Sequence, residues 1–212
     1  MNDLNEEYVN NLLHKIEISL LVHAIHFSAI AHSAQRRKDE AKTPYINHPI
    51  EVMHILMEAG ITDVTILCAA VLHDTIEDTG VTYQQLADHF SPQVADMVQE
   101  CSDDKSLPKE IRKQEQIKHA KHVSDGAKLI KAADKLSNLS SLDSTPPAKW
   151  SPAEIDGYFT WAYAVWLNLK GVNEVLDEKL CPLFEKRGLT SLALEEMEKK
   201  LTEYYNNIKE TE

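Results

Sequence analysis

Apolar residues in this chain recur at intervals of three and four, and no segment of any length alternates apolar with polar side chains. The first spacing lays side chains along one stripe of a 3.6-residue helix, whereas a half-buried strand needs a period of two. The pattern predicts an all-α fold. Helix-start signals divide it. Ser151-Pro152-Ala153-Glu154 joins a capping hydroxyl, an early Pro and a Glu three residues on, and predicts a long helix through Tyr158, Trp161 and Trp166 to about Val175. Thr82 with Gln85 opens a short helix to Phe90, Ser91-Pro92 another, and Pro108 one running through about His122. Pro49 is expected at the first position of a helix closed by Gly60, and Asp63 is expected to cap the next, which Gly80 follows. Residues 4 to 33 carry Leu4, Tyr8, Leu12, Ile16, Leu20, His23 and Phe27 at helical spacing, as one long or two broken helices, the first part being a packing extension. Ser124-Asp125-Gly126 is expected to break the chain before a helix with the stripe Leu129, Ile130, Ala133, Leu136 and Leu139. Two further helices are expected near 176–187 and 190–208.

With 212 residues, neither an internal repeat nor a long linker, one domain is expected. The net charge of −12 argues against a nucleic-acid partner, which needs clustered positive potential, but not against a small phosphorylated ligand met by a few local cations. Cys68, Cys101 and Cys181 form no CxxC pair and fit reduced thiols. No apolar run reaches the ~20 residues of a membrane span. The acidic start Asn2-Asp3-Leu4-Asn5-Glu6-Glu7 does not resemble a targeting leader, so a soluble cytoplasmic protein is expected.

The chemistry concentrates after the apolar run Val64–Leu72, in His73-Asp74-Thr75-Ile76-Glu77-Asp78-Thr79. Four ionisable side chains arrive within six residues, and on an unbroken helix His73 would stack on Glu77 and Asp74 on Asp78. Such crowding beside a buried segment is costly unless a partner offsets it, and a divalent metal would. A capped surface turn held by ion pairs is the plainer alternative. His48, at a loop-to-helix junction, and Asp134, beside the apolar stripe, add an imidazole and a carboxylate. Two imidazoles with carboxylates make a mixed N/O set suited to Mn²⁺ or Fe²⁺. No His-Glu-x-x-His or paired-cysteine zinc motif occurs. Asp134 taken alone would pair with Lys131 or Lys135. His119 and His122 lie three apart among Lys118 and Lys121, where a solvated face is the expected reading, and Asp103-Asp104 is expected to be a polar turn.

His48, His73-Asp74 and Asp134, in that order, resemble the ligand set of HD-type metal phosphohydrolases. Arg36-Arg37-Lys38, Pro44-Tyr45-Ile46-Asn47-His48-Pro49, His73-Asp74-Thr75-Ile76-Glu77-Asp78-Thr79 and Ala133-Asp134-Lys135-Leu136-Ser137-Asn138-Leu139 together resemble the hydrolase domain of RelA/SpoT-type alarmone enzymes, in the stand-alone animal form. The resemblance covers residues 21–190, leaving 1–20 as an N-terminal helical extension and 191–212 as a C-terminal amphipathic helix. It implies an all-α fold of about ten helices and removal of the 3′-pyrophosphate of ppGpp or pppGpp with Mn²⁺. It further implies that His48, His73, Asp74 and Asp134 hold the metal and that Glu77 and Asp78 orient and deprotonate the attacking water. Arg37, Lys38, Asn138 and Tyr158 are implied as nucleotide contacts, and at this length hydrolysis without the family's synthetase domain is expected. Ser140 and Glu154 depart from it, standing where animal members are expected to carry Arg. The same centre could instead remove the 2′-phosphate of NADPH, or the fold could serve as a non-catalytic nucleotide sensor. The oligomeric state is not read from the sequence.

Overall fold

The computed structural model describes residues 2–147 and 149–209, with side chains from Glu7 to Ile208 within those spans; the expected stripe position Leu4 lies outside the described side chains. The order is α1 (Asn2–Ala31), α2 (Asn47–Glu58), α3 (Val64–Leu72), α4 (Thr75–Asp78), α5 (Tyr83–His89), α6 (Pro92–Cys101), α7 (Lys109–His119), α8 (Asp125–Ser144), α9 (Pro152–Trp166), α10 (Glu174–Glu185), a 3₁₀ turn (Leu189–Ser191) and α11 (Leu194–Lys209). The fold is all-α, and among the described residues extended pairing is limited to an isolated bridge between Arg36 and Pro44.

The start signals act locally. Thr82–Gln85 and Ser151–Glu154 both form reciprocal capping boxes, and the Asp63 side chain accepts the Thr65 N–H at 2.8 Å. Gly60, at φ 85°, ends α2 while the N–H groups of Gly60 and Ile61 return to the carbonyls of Met57 and Leu56, each at 3.0 Å. A residue with a Cβ would be strained at that φ.

α3 is apolar on every side, and Leu67 through Leu72 are all buried. It packs against α1, α2, α6 and α8 and is the axis of the core. Burying each leucine-sized side chain contributes ~1.5–3 kcal/mol. α9 supplies the second mass of the core through Phe159, Trp161 and Trp166, with the two indole N–H groups bonded to Lys113 O (2.9 Å) and Asp177 Oδ1 (2.7 Å). α11 packs on α9 and α7, burying Tyr204 and Ile208, and Tyr204 sits so close to Gly157 that any Cβ there would press on its ring.

Several boundaries differ from expectation. Pro49 is the third residue of α2, after Asn47 and His48. α7 ends at His119. α9 ends at Trp166 rather than near Val175: the Asn168 amide bonds the Ala164 carbonyl (3.0 Å), and Gly171 turns the chain at φ 92°. Gly126 lies inside the first turn of α8, capped by Ser124, where a Cβ would strike Met97 Sδ; it is a glycine of close packing, not a break. α1 is one helix, but its first half does not pack as an extension: Tyr8, Leu12 and Ile16 stand 68, 47 and 55% exposed. No helix among the described residues is long and apolar enough to cross a membrane.

Candidate active site

Helix α3 stops at Leu72, and α4 restarts at Thr75. The cause is local. His73 Nδ1 bonds the Ala70 carbonyl (2.8 Å) and Thr75 Oγ1 bonds the Leu72 carbonyl (2.7 Å), so side chains take acceptors that the next helical turn would use. His73 and Asp74 occupy the joint, which replaces the continuous helix expected through Thr79. The stacking of Glu77 on His73 is corrected accordingly, because the joint separates them, whereas Asp78 still follows Asp74 by one turn, its N–H bonded to the Asp74 carbonyl at 2.8 Å.

Two other elements converge on the joint. His48 enters from the first turn of α2, buried, its ring 5.3 Å from that of His73. Asp134 arrives from α8, its Oδ1 3.0 Å from His48 Nε2 and 3.8 Å from His73 Nε2. Asp74 Oδ2 stands 2.9 Å from His73 Nε2 and 3.7 Å from His48 Nε2. His48, His73 and Asp74 offer ligand atoms that all lie within 4.8 Å of one another. The expected Asp134–Lys135 pair also exists, at 2.7 Å, but through Oδ2, which leaves Oδ1 to face the imidazoles.

Electrostatics at this cluster favour a cation. Burial lowers the affinity of His73 for a proton, yet the carboxylates of Asp74 and Asp134 outweigh it and lift its pKa to about 9. Burial opposes ionisation of Asp74 and Asp134, while His73 and His48 hold Asp74, and Lys135 and His48 hold Asp134, below the usual carboxylate range. His73 Nε2 is buried without a well-formed hydrogen bond. Two imidazole nitrogens and two carboxylates with an orphaned buried nitrogen fit a divalent ion of mixed N/O preference.

The cluster floors a cavity of about 610 Å³. Glu77 lies on its wall, with the Asp103 N–H donating to its Oε2 at 2.9 Å and Arg112 4.0 Å from its Oε1. Burial first, then the Asp103 carboxylate, raises its pKa to about 7. Asp78 accepts from Gln35 Nε2 (2.8 Å) and Lys105 Nζ (2.5 Å). Asn138 connects two predicted positions, donating to Asp134 Oδ1 at 2.6 Å and accepting from Arg37 at 3.2 Å. Arg37 is half-buried and Lys38 exposed, and both line the cavity; Tyr158 faces it from α9 beside Trp150 and Trp161.

The structure adds residues that the sequence did not single out for the site. Tyr45 donates its hydroxyl to Asp74 Oδ2 at 2.6 Å. Asp103, expected in a solvated turn, instead faces the cavity and accepts from Gln116. Lys113 is half-buried, its Nζ 3.6 Å from the Trp161 ring centre, and desolvation of the ammonium, with Lys135 beside it, lowers its pKa to about 7. Periodicity did not reveal Lys113, because α7 carries only Ile111 and Ile117 as apolar side chains and has no fully buried residue. His119 is exposed against Glu115, and His122 is exposed. Ser140 is exposed, and Glu154 is engaged in its capping box.

A family model for the HD domain matches residues 24–161. The chain belongs to the HD-domain family. It is 51% identical over 175 residues to the mouse guanosine-3′,5′-bis(diphosphate) 3′-pyrophosphohydrolase MESH1, covering 82% of this chain and 98% of that one. It is 47% identical over 166 residues to the MESH1 of Drosophila melanogaster, covering 78 and 93%. A solved structure described as a metazoan ortholog of SpoT that hydrolyzes ppGpp and plays a role in starvation responses superposes with a TM-score of 0.78 at 46% identity, covering 80% of this chain and 96% of that one. Membership of the HD family implies a divalent metal, and the His48, His73 and Asp74 cluster offers a place for it.

Proposed function

We propose that this chain is a Mn²⁺-dependent guanosine-3′,5′-bis(diphosphate) 3′-pyrophosphohydrolase, acting on ppGpp or pppGpp. The observation that carries the reading is the convergence of His48, His73, Asp74 and Asp134 on the floor of a cavity whose wall bears a carboxylate of pKa about 7, in a chain half identical to MESH1 enzymes. We assign the metal to those four residues. Mn²⁺ bound there would supply Lewis acidity to a phosphoryl oxygen and make water a better nucleophile near neutral pH.

The remaining chemistry belongs to the side chains. Glu77, half ionised near pH 7 and steadied by the Asp103 N–H, accepts the proton of the attacking water. Asp78, pinned by Gln35 and Lys105, orients that water from the next position on α4. Arg37 and Lys38 clamp the pyrophosphate charges at the mouth, while Asn138 and Tyr158 contact ribose or phosphate. We place the hydrolase domain at 21–190, with 1–20 and 191–212 as added helices, and the protein in the cytoplasm, which its three free cysteines suit.

The test is a phosphorus NMR assay of purified protein with Mn²⁺, run in parallel on ppGpp and NADPH. Release of pyrophosphate and GDP from ppGpp is expected. Orthophosphate from NADPH with no turnover of ppGpp would overturn the assignment of substrate, and no turnover of either would overturn the assignment of an enzyme.

A further inference from the structure

His48 Nδ1 stands 3.0 Å from the hydroxyl of Ser137, and that hydroxyl donates to Glu51 Oε2 at 2.8 Å. The three residues come from two helices: Glu51 lies one turn after His48 on α2, and Ser137 one turn after Asp134 on α8. His48 is 3% and Ser137 0% exposed, so water does not substitute for either. We propose that Glu51 and Ser137 form a positioning relay that fixes the tautomer and ring orientation of His48, an inference that rests on His48 being a metal ligand.

The polarity of the relay follows from the donors available. A carboxylate only accepts, so the single proton of the Ser137 hydroxyl is committed to Glu51. The lone pair left on Ser137 Oγ can then only accept, which requires a proton on His48 Nδ1. Nε2, which faces Asp134 and Asp74, is thereby kept as the nitrogen whose lone pair is free for a cation. The second imidazole is held in the same sense by a different device, the bond from His73 Nδ1 to the Ala70 carbonyl. The two imidazoles thus present Nε2 to the same space, one fixed by backbone and one by a serine and a carboxylate. Glu51 is exposed, which makes it the weaker link and leaves Ser137 the principal one.

The experiment is Mn²⁺ titration by calorimetry of the full chain and of Ser137→Ala and Glu51→Ala, together with ¹⁵N NMR of the histidine rings in the Mg²⁺-loaded protein. Outer-shell partners of a ligating histidine are worth roughly 10–100-fold in metal affinity, so Ser137→Ala is expected to weaken Mn²⁺ binding by about that factor and Glu51→Ala by the lower end of it. The His48 signals should report a proton on Nδ1 in the parent and a mixture of tautomers in Ser137→Ala, a change that loss of packing alone would not give. Should Ser137→Ala fail to fold, Glu51→Ala, altered on the surface, decides the matter. Variants that bind Mn²⁺ within twofold of the parent, with unchanged His48 signals, would overturn the relay while leaving the metal site intact. A parent chain that takes up no Mn²⁺ would overturn the metal assignment, and the relay with it.

Discussion

Replacing Glu77 by Gln should make this protein more stable and nearly inactive, with the stability gain confined to one range of pH. In the folded chain the carboxyl has a pKa of about 7, against an ordinary value of 4.5. The folded state therefore holds this proton more tightly than the unfolded state. Its contribution to stability is fully present below pH 4.5 and is lost as pH rises through 7. The whole interval corresponds to roughly 3 kcal/mol, of which roughly 2–3 kcal/mol falls between pH 5 and 8. Because the side chain is only 18% exposed, solvent screening reduces this modestly. Gln keeps an oxygen to accept the Asp103 N–H and never ionises. The melting temperature of metal-free Glu77→Gln, relative to the parent, should therefore rise by about 5–10 °C between pH 5 and pH 8, at roughly 2–4 °C per kcal/mol for a chain of this size. In the same variant with Mn²⁺, turnover of ppGpp should fall about 10²–10⁴-fold, the usual worth of a general base. Differential scanning calorimetry at the two pH values and a pyrophosphate-release assay check both halves. A melting difference that stays constant from pH 5 to 8 would refute the burial reasoning, and turnover within threefold of the parent would refute the role in proton transfer.

Parent turnover should climb with pH through about 7 as Glu77 ionises, and the climb should vanish in the residual activity of Glu77→Gln. Asp74→Asn leaves His73 and His48 facing a weaker ligand and should abolish Mn²⁺ uptake by calorimetry along with activity. Adding Mn²⁺ at about 100 times its Kd should stabilise the parent by roughly 2.7 kcal/mol and leave Asp74→Asn unmoved in the same thermal scan. Lys38→Ala, at the exposed mouth of the cavity, should raise KM several-fold with little change in kcat; an unchanged KM removes Lys38 from the substrate path. Gly157→Ala gains at most about 1 kcal/mol of helix propensity but drives a methyl group into the Tyr204 ring, costing roughly 1–3 kcal/mol, so its melting temperature should drop unless α11 can shift.

Helices whose ends are local were legible before any coordinates. Thr82 with Gln85, Ser151 with Glu154, Asp63 and Gly60 all act through groups within four residues, and each is where its pattern places it. Boundaries that depend on packing were not. Gly126 looks like a break until Met97 is seen against it, and Tyr8, Leu12 and Ile16 look like a packing face but stand exposed among the described residues.

The candidate site divides along the same line. The residue order His48, His73-Asp74 and Asp134 brought these four together through its resemblance to the HD-type ligand set, while the crowding of charge after a buried run pointed only to His73, Asp74, Glu77 and Asp78. The sequence by itself determined an all-helical chain with that cluster and with a carboxylate one turn beyond it. The interruption of the helix at His73 was not legible either, although its cause is local: two side-chain bonds to the carbonyls of Ala70 and Leu72, which His and Thr side chains can make but need not. Only the tertiary structure brought Asp103, Lys113, Tyr45 and Glu51 to the cavity, and set the buried Ser137 between His48 and Glu51, 86 residues along the chain from the latter. The pKa values on which the chemistry turns arise from burial and from charges that include Asp103 on Glu77 and Asp134 on His73 as well as the adjacent Asp74, and spacing along one helix encodes neither the burial nor the distant charges.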